Sequence, residues 1–153
     1  MHIRRARPEE AEALTELIMR SKAHWGYSQD LLDGWRPQLT ITAAIIERDL
    51  VFCAEIHETL AGVAHLKMLS ATEALLDDLF VEPAYMGRGV GARLWRHAAT
   101  EACALGATTM VLDADIHAVP FYLRMGATLV DDADLADIPL TTTPRMRYAL
   151  PQS

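Results

Sequence analysis

The sequence predicts a single α/β domain built on a mixed sheet of six or seven strands with flanking helices. Three observations lead there. Two apolar, β-rich runs over residues 50–56 and 60–69 are separated by His57-Glu58-Thr59, the pattern of a hairpin. A third apolar run, residues 75–81, follows and reads as the central strand. Beyond it, strand and helix periodicities alternate, which is the order that builds a layered α/β sheet. The 153 residues, 51% of them hydrophobic, are the size of one domain with a real core.

In chain order, residues 3–6 read as a short first strand. Pro8 opens a helix whose first turn carries Glu9 and Glu10 and whose end carries Arg20 and Lys22, charges placed to suit the helix dipole. Ala11, Leu14, Leu17 and Ile18 form its apolar face. Gly26 breaks that helix, and Ser28 caps a second over residues 29–39, interrupted in pattern by Gly34 and closed near Pro37. The connecting stretch is aromatic. His24, Trp25, Tyr27 and Trp35 suit the rim of a small-molecule pocket, with Trp25 and Tyr27 as the substrate-binding candidates; they suit equally well the anchoring of two short helices to a sheet.

After the central strand, residues 90–104 form a helix that buries Val90, Leu94, Trp95, Ala98 and Ala102 and exposes Arg93, Arg96, His97 and Glu101. Residues 107–113 are a strand, 116–125 a helix ended by Gly126, and 127–130 another strand. Residues 131–144 are polar and proline-interrupted, hence a loop, and 146–150 close the sheet with Arg145 and Arg147 attached.

Composition narrows the function. A formal net charge of −7 argues against nucleic acid as a partner and favours a cationic one. No apolar run approaches the about 18 residues of a membrane span, and the N-terminus leads into a polar segment, so no membrane and a cytoplasmic location are expected. Cys53 and Cys103 lack metal or redox spacing and are expected as buried thiols; the six histidines show no ligand spacing, and no metal is expected.

Chemistry concentrates between residues 75 and 92. The central strand carries Asp77 and Asp78 inside an apolar run, and an ionised carboxylate buried without a partner is costly. Strand neighbours face opposite sides, so the two cannot serve the same purpose: either one sits at a wet edge while the other bonds a neighbouring backbone N–H, or one of them is a proton acceptor. Then come Gly87, Gly89 and Gly91 at the start of a helix, where freedom from Cβ atoms lets the first N–H groups approach an anion such as pyrophosphate. A Walker loop needs Lys-Ser/Thr after the last glycine; Ala92-Arg93 stands there. Gly87, Gly89 and Ala92 satisfy the Rossmann fingerprint, but five residues separate the glycines from the strand, and the chain is too short for two mononucleotide halves and a substrate domain.

The segment LFVEPAYMGRGVGARLW resembles the coenzyme A loop of the GNAT superfamily of N-acetyltransferases, Gln/Arg-x-x-Gly-x-Gly/Ala after a strand, with Met86 where the family has Gln or Arg. A second block, DIHAVPFYLRMGA, is similar to the family's Asn-x-x-Ala-x-x-Phe-Tyr-x-x-x-Gly motif, with Ala118, Phe121, Tyr122 and Gly126 in register and Asp115 in place of Asn. LDDLFV resembles the Leu-Glu-Asp-aromatic-Phe-Val strand of polyamine acetyltransferases, whose Glu maps onto Asp77.

The resemblance implies one N-acetyltransferase domain over residues 1–153, with central parallel strands, ending at Val81 and Asp113, splayed around acetyl-CoA. It implies coenzyme contacts from Leu79, Phe80, Val81, Gly87, Arg88, Gly89, Val90, Gly91, Ala92, Asp115 and Ala118. Direct acetyl transfer to a primary amine of a small molecule or peptide is the implied reaction, with Asp77 as base and Tyr122 as the acid that protonates the departing thiolate. The alternative is a non-catalytic acyl-CoA sensor or interaction module of the same fold. A homodimer is left open as its assembly.

Overall fold

Seven strands, β1 (His2–Arg5), β2 (Leu50–Ile56), β3 (Thr59–Met68), β4 (Glu73–Val81), β5 (Thr109–Asp113), β6 (Thr128–Leu129) and β7 (Arg145–Ala149), form one sheet in the computed structural model, in the order β1-β2-β3-β4-β5-β7-β6. The structure describes residues 1–130, 138–139 and 141–152. The mixed α/β architecture is the expected one. β4 and β5 are the parallel pair, in register from Glu73↔Thr109 to Leu75↔Val111, while β1 and β3 pair antiparallel with β2, and β5 and β6 with β7. The chain divides into two compact units, Met1–Leu66 with Asp78–His97, and Lys67–Asp77 with Ala98–Ser153.

In the first unit, β2 shows how alternation sorts two layers. Val51 and Cys53 join a core with Leu14, Leu17 and Ile18 of helix α1 (Ala11–Ala23), Ile46 of helix α3 (Ala43–Arg48), and Val63 of β3. Cys53 is fully buried as expected, and burial pushes its thiol up to about 11. Phe52, between them in sequence, turns the other way and meets the His97 ring edge-on at 4.5 Å. His97 belongs to helix α4 (Val90–Ala104), which covers that opposite face. It is half-buried there rather than exposed, because Phe52 fills its side. Glu101 is likewise half-buried.

Glycine at position 62 is what brings α4 so close. A Cβ built there would lie 2.8 Å from Leu94 Cδ1, 3.0 Å from Val90 Cγ1 and 3.1 Å from the Phe80 carbonyl oxygen. Beside it, the β2–β3 register jumps from Ala54↔Gly62 to Glu55↔Leu60, so Ala61 is an extra, bulged residue. Its carbonyl accepts the Glu82 N–H at 2.8 Å.

Several element ends depart from expectation for local reasons. Residues 8–10 form a 3-10 turn before α1, because Glu10 is pulled back onto the Arg4 guanidinium (2.7 and 2.9 Å) and the Arg7 N–H (2.8 Å). Arg4 also holds Glu55 across the β1–β2 ladder. Helix α2 (Gln29–Leu39) is capped by Ser28 as expected, but keeps Pro37 inside its exposed last turn. Helix α3 falls where the sequence pattern showed no element; Thr42 Oγ1 caps it by accepting the Ile45 N–H at 3.1 Å. The hairpin turn is the pair His57-Glu58, both at positive φ, so Thr59 already belongs to β3.

In the second unit, the expected helix over residues 116–125 divides into a 3-10 turn, Ile116–Ala118, and helix α5 (Val119–Arg124), whose first turn carries Pro120. Gly126 follows at φ +101, with the Tyr148 ring 3.2 Å from where a Cβ would stand. β6 is shorter than the expected strand. Met110, Val111, Leu112, Met146, Val119 and Ala98 are buried, and Arg145 grips Asp113 with two hydrogen bonds, 2.7 and 3.1 Å. Cys103 is half-buried rather than buried, its thiol 3.6 Å from the Pro151 carbonyl. The loop expected over residues 131–144 lies largely outside the described residues.

Candidate active site

The segment that leaves β4 is built to stop a strand and start a helix in eight residues, 82–89. Pro83–Tyr85 form a 3-10 turn closed by Met86 N–H on the Pro83 carbonyl at 3.2 Å. Gly87 and Gly89 then take φ +79 and +81, a region that L side chains avoid. No atom lies within 4 Å of a Cβ built on either, so the demand for glycine is conformational and the space above the loop is open. Helix α4 makes its first ladder bond from Arg93 N–H to the Gly89 carbonyl at 3.1 Å. The N–H groups of Val90, Gly91 and Ala92 therefore precede the ladder, at the positive end of a helix of 15 residues. Arg88 sits in the middle of the loop, its guanidinium 5.4 Å from the Tyr85 ring centre.

The two β4 carboxylates have separated as strand alternation requires. Asp78 is buried in the first unit, its Oδ2 3.2 Å from His65 Nδ1. The other ring nitrogen, Nε2, lies 2.7 Å from Asp49 Oδ2, and Arg48 donates to the same carboxylate at 3.1 Å through both Nε and Nη2. Burial works to raise the Asp49 carboxyl, but the hydrogen bonds and charges of Arg48 and His65 outweigh it and hold the group below its ordinary value. Sequence reasoning passed over His65 as one of six histidines. Its signal was an imidazole inside the apolar run of residues 60–66, beside a strand that carries two aspartates. Asp77, in the second unit, is 42% exposed at the side chain, with Lys67 Nζ 3.5 Å from its Oδ2.

The later motif lies in the second unit. Asp115 Oδ1 accepts the His117 N–H at 2.8 Å and lies 2.9 Å from His117 Nδ1, so this carboxylate shapes the 3-10 turn that carries Ala118. Tyr122 is 6% exposed and meets Phe121 edge-on at 5.1 Å, and its carbonyl accepts the Ala127 N–H at 3.0 Å.

The aromatic stretch in the first unit divides. Tyr27 and Trp35 pack edge-to-face at 4.8 Å, with the Lys22 ammonium 5.4 and 4.9 Å from their ring centres, while Trp25 is 40% exposed against His24. A separate groove of about 440 Å³ escaped the sequence reading; Leu17, Arg20, Leu60, Glu82 and Tyr85 line it. Arg20 braces its wall through paired hydrogen bonds to Glu82, both 2.9 Å.

A mixed sheet whose central strand turns through positive-φ glycines into the open N–H groups of a helix start is the frame of an α/β protein with backbone donors at one strand end. The chain belongs to the acetyltransferase (GNAT) family, whose model matches residues 11–127. It is, accordingly, an acetyl-CoA-dependent N-acetyltransferase. Peptidyl-lysine N-acetyltransferase YjaB of Salmonella typhimurium is 26% identical over 147 residues, 90% of each chain. Among solved structures, the PaiA N-acetyltransferase of Thermoplasma acidophilum, in complex with coenzyme A, shares the fold with a TM-score of 0.79 at 22% identity, over 97% of this chain and 98% of that one. YncA of Salmonella typhimurium, with acetyl-CoA, gives 0.69 at 19% identity over 100% and 95%. No helix among the described residues is long and apolar enough to cross a membrane.

Proposed function

We propose that the protein moves the acetyl group of acetyl-CoA directly onto a primary amine, with a peptide lysine as the leading acceptor class, and that it works in the cytoplasm. The observation that carries this is the glycine turn of open, positive-φ backbone feeding three N–H groups at the start of α4, in a chain of this family. The lysine acceptor is suggested by the YjaB relative and agrees with the acidic net charge.

In this reading the N–H groups of Val90, Gly91 and Ala92 receive the pyrophosphate, with Gly87, Arg88 and Gly89 forming the turn beneath it. Backbone of Leu79, Phe80 and Val81 pairs with the pantetheine arm as an added strand, and Asp115 and Ala118 contribute from the later motif. The acceptor arrives as an ammonium and must lose a proton before it attacks; Asp77 takes that proton through water. The free amine adds to the thioester carbonyl, backbone N–H groups near Leu79 to Val81 steady the oxyanion, and the C–S bond breaks. Tyr122, whose phenol has a hydroxyl proton to give, protonates the departing thiolate. Trp25 and Tyr27 form the acceptor's rim.

The test is coenzyme A binding by calorimetry together with coenzyme A release against a panel of lysine peptides, polyamines, amino acids and aminoglycosides. Turnover with one class fixes the acceptor. Coenzyme binding without turnover of any panel member overturns the acceptor assignment, and absence of coenzyme binding overturns the glycine loop as the coenzyme site.

A further inference from the structure

We propose that Lys67 is an acetylation site for the protein's own transfer reaction, modified in cis when acetyl-CoA is present and no acceptor is bound. The chain carries only two lysines against twelve arginines, and the structure treats the two very differently. Lys22 is buried, its ammonium set against the faces of Trp35 and Tyr27. Lys67, on β3, has a side chain 36% exposed, and its Nζ is 3.5 Å from Oδ2 of Asp77. In the proposed reaction the acceptor's ammonium has to come within reach of the Asp77 carboxylate, and the Lys67 ammonium already lies there. The inference rests on the proposed function, in which Asp77 removes the acceptor's proton.

The chemistry balances without any further reactant. The Lys67 ammonium gives one proton to the Asp77 carboxylate, and the neutral amine adds its lone pair to the thioester carbonyl carbon of acetyl-CoA. The C–S bond breaks, its electron pair leaves with the coenzyme thiolate, and that thiolate takes up a proton. The products are an uncharged acetamide at Lys67 and coenzyme A. Because nucleophile and base are on one chain, the reaction is unimolecular in protein, and holding the two groups together supplies the advantage over free lysine.

The experiment incubates the full-length chain with acetyl-CoA and no amine, digests it at timed points, and measures acetylation at Lys67 and Lys22 by mass spectrometry. The expected result is Lys67 labelling at least about tenfold faster than in the heat-unfolded chain, at a fractional rate independent of protein concentration, and slowed in Asp77→Asn. Lys67→Arg abolishes the labelled peptide and retains turnover of an external amine. Equal labelling of Lys22 and Lys67, or equal rates in folded and unfolded chains, shows simple chemical acetylation and overturns the proposal. Turnover of an external amine with Lys67 unlabelled overturns it while leaving the proposed function intact; absence of both coenzyme binding and turnover overturns the proposed function itself.

Discussion

Replacing Gly62 by alanine inserts one methyl group where β3, the end of β4 and the first turns of α4 converge. Carbon atoms pack best at about 3.5–4.0 Å, and the added Cβ would stand 2.8 Å from Leu94 Cδ1 and 3.0 Å from Val90 Cγ1. Leu94 and Val90 are both buried, so neither side chain has space to retreat, and the third neighbour, the Phe80 carbonyl 3.1 Å away, is backbone. Overpacking of this kind costs roughly 1–3 kcal/mol. For a chain of this length each kcal/mol lowers Tm by about 2–4 °C, which predicts a fall of roughly 2–12 °C. The strain is relieved most readily by lifting α4 at Val90, its first residue, so coenzyme affinity should weaken along with stability. Gly34→Ala is the matched control: the position is within α2 with no atom within 4 Å of a Cβ, and helix propensity alone should stabilise by about 0.5–1 kcal/mol. Thermal melts and coenzyme A calorimetry on both variants decide the matter. A Gly62→Ala protein that melts at or above wild type, with unchanged affinity, refutes the close-packing account.

Other outcomes follow from the same geometry. Gly89→Val forces a β-branched residue to φ +81, at a cost of about 1–2 kcal/mol or more, and should raise the coenzyme A Kd about tenfold or more; an unchanged Kd counts against the loop as the pyrophosphate site. Asp77→Asn should lower kcat and remove the acidic limb of the pH–rate profile, whereas Asp78→Asn, which strips a charge from the His65 contact, should chiefly lower Tm; identical profiles for wild type and Asp77→Asn would reassign the base. Tyr122→Phe should cut kcat by ~10²-fold or more with coenzyme affinity retained, and normal single-turnover kinetics would leave the tyrosine a core aromatic. The Glu10 carboxyl is held below its ordinary value by its hydrogen bonds from Arg4, and Asp49 by Arg48 and His65 against burial. Lowered carboxyl values contribute stability above the unfolded value and lose it as pH falls through the folded one, so Tm should decline on acidification below about pH 5. Glu10→Gln should lower Tm at neutral pH and flatten that decline; an unchanged slope would show that the pair contributes nothing.

Much of the fold was legible because a few residues dominate their neighbourhoods. Val90–Ala104 stood out with both ends correct: glycines precede it, Gly106 follows it, and one face is continuously apolar. The two β4 aspartates announced a division of labour through parity alone, and the buried half of that division, Asp78 on His65, is present. What stayed hidden depends on partners distant in sequence. His65 meets Asp49 and Asp78 from different elements, and no periodicity records that meeting. Gly62 reads as a weak point inside a strand until α4 is packed on it. Helix α3 is only six residues long, and its paired isoleucines look like strand; its Thr42 cap was the one available signal. The split of residues 116–125 came from Asp115, whose side chain serves the local backbone and thereby tightens the first turn.

The sheet order has a bearing on how copies of this chain meet. Its two outermost strands, β1 and β6, are four and two residues long, and β1 carries Arg4 and Arg5. Rims this short offer an incoming strand few open amides and carbonyls to zip onto. Concentrated solutions should therefore resist fibril growth by edge-to-edge stacking.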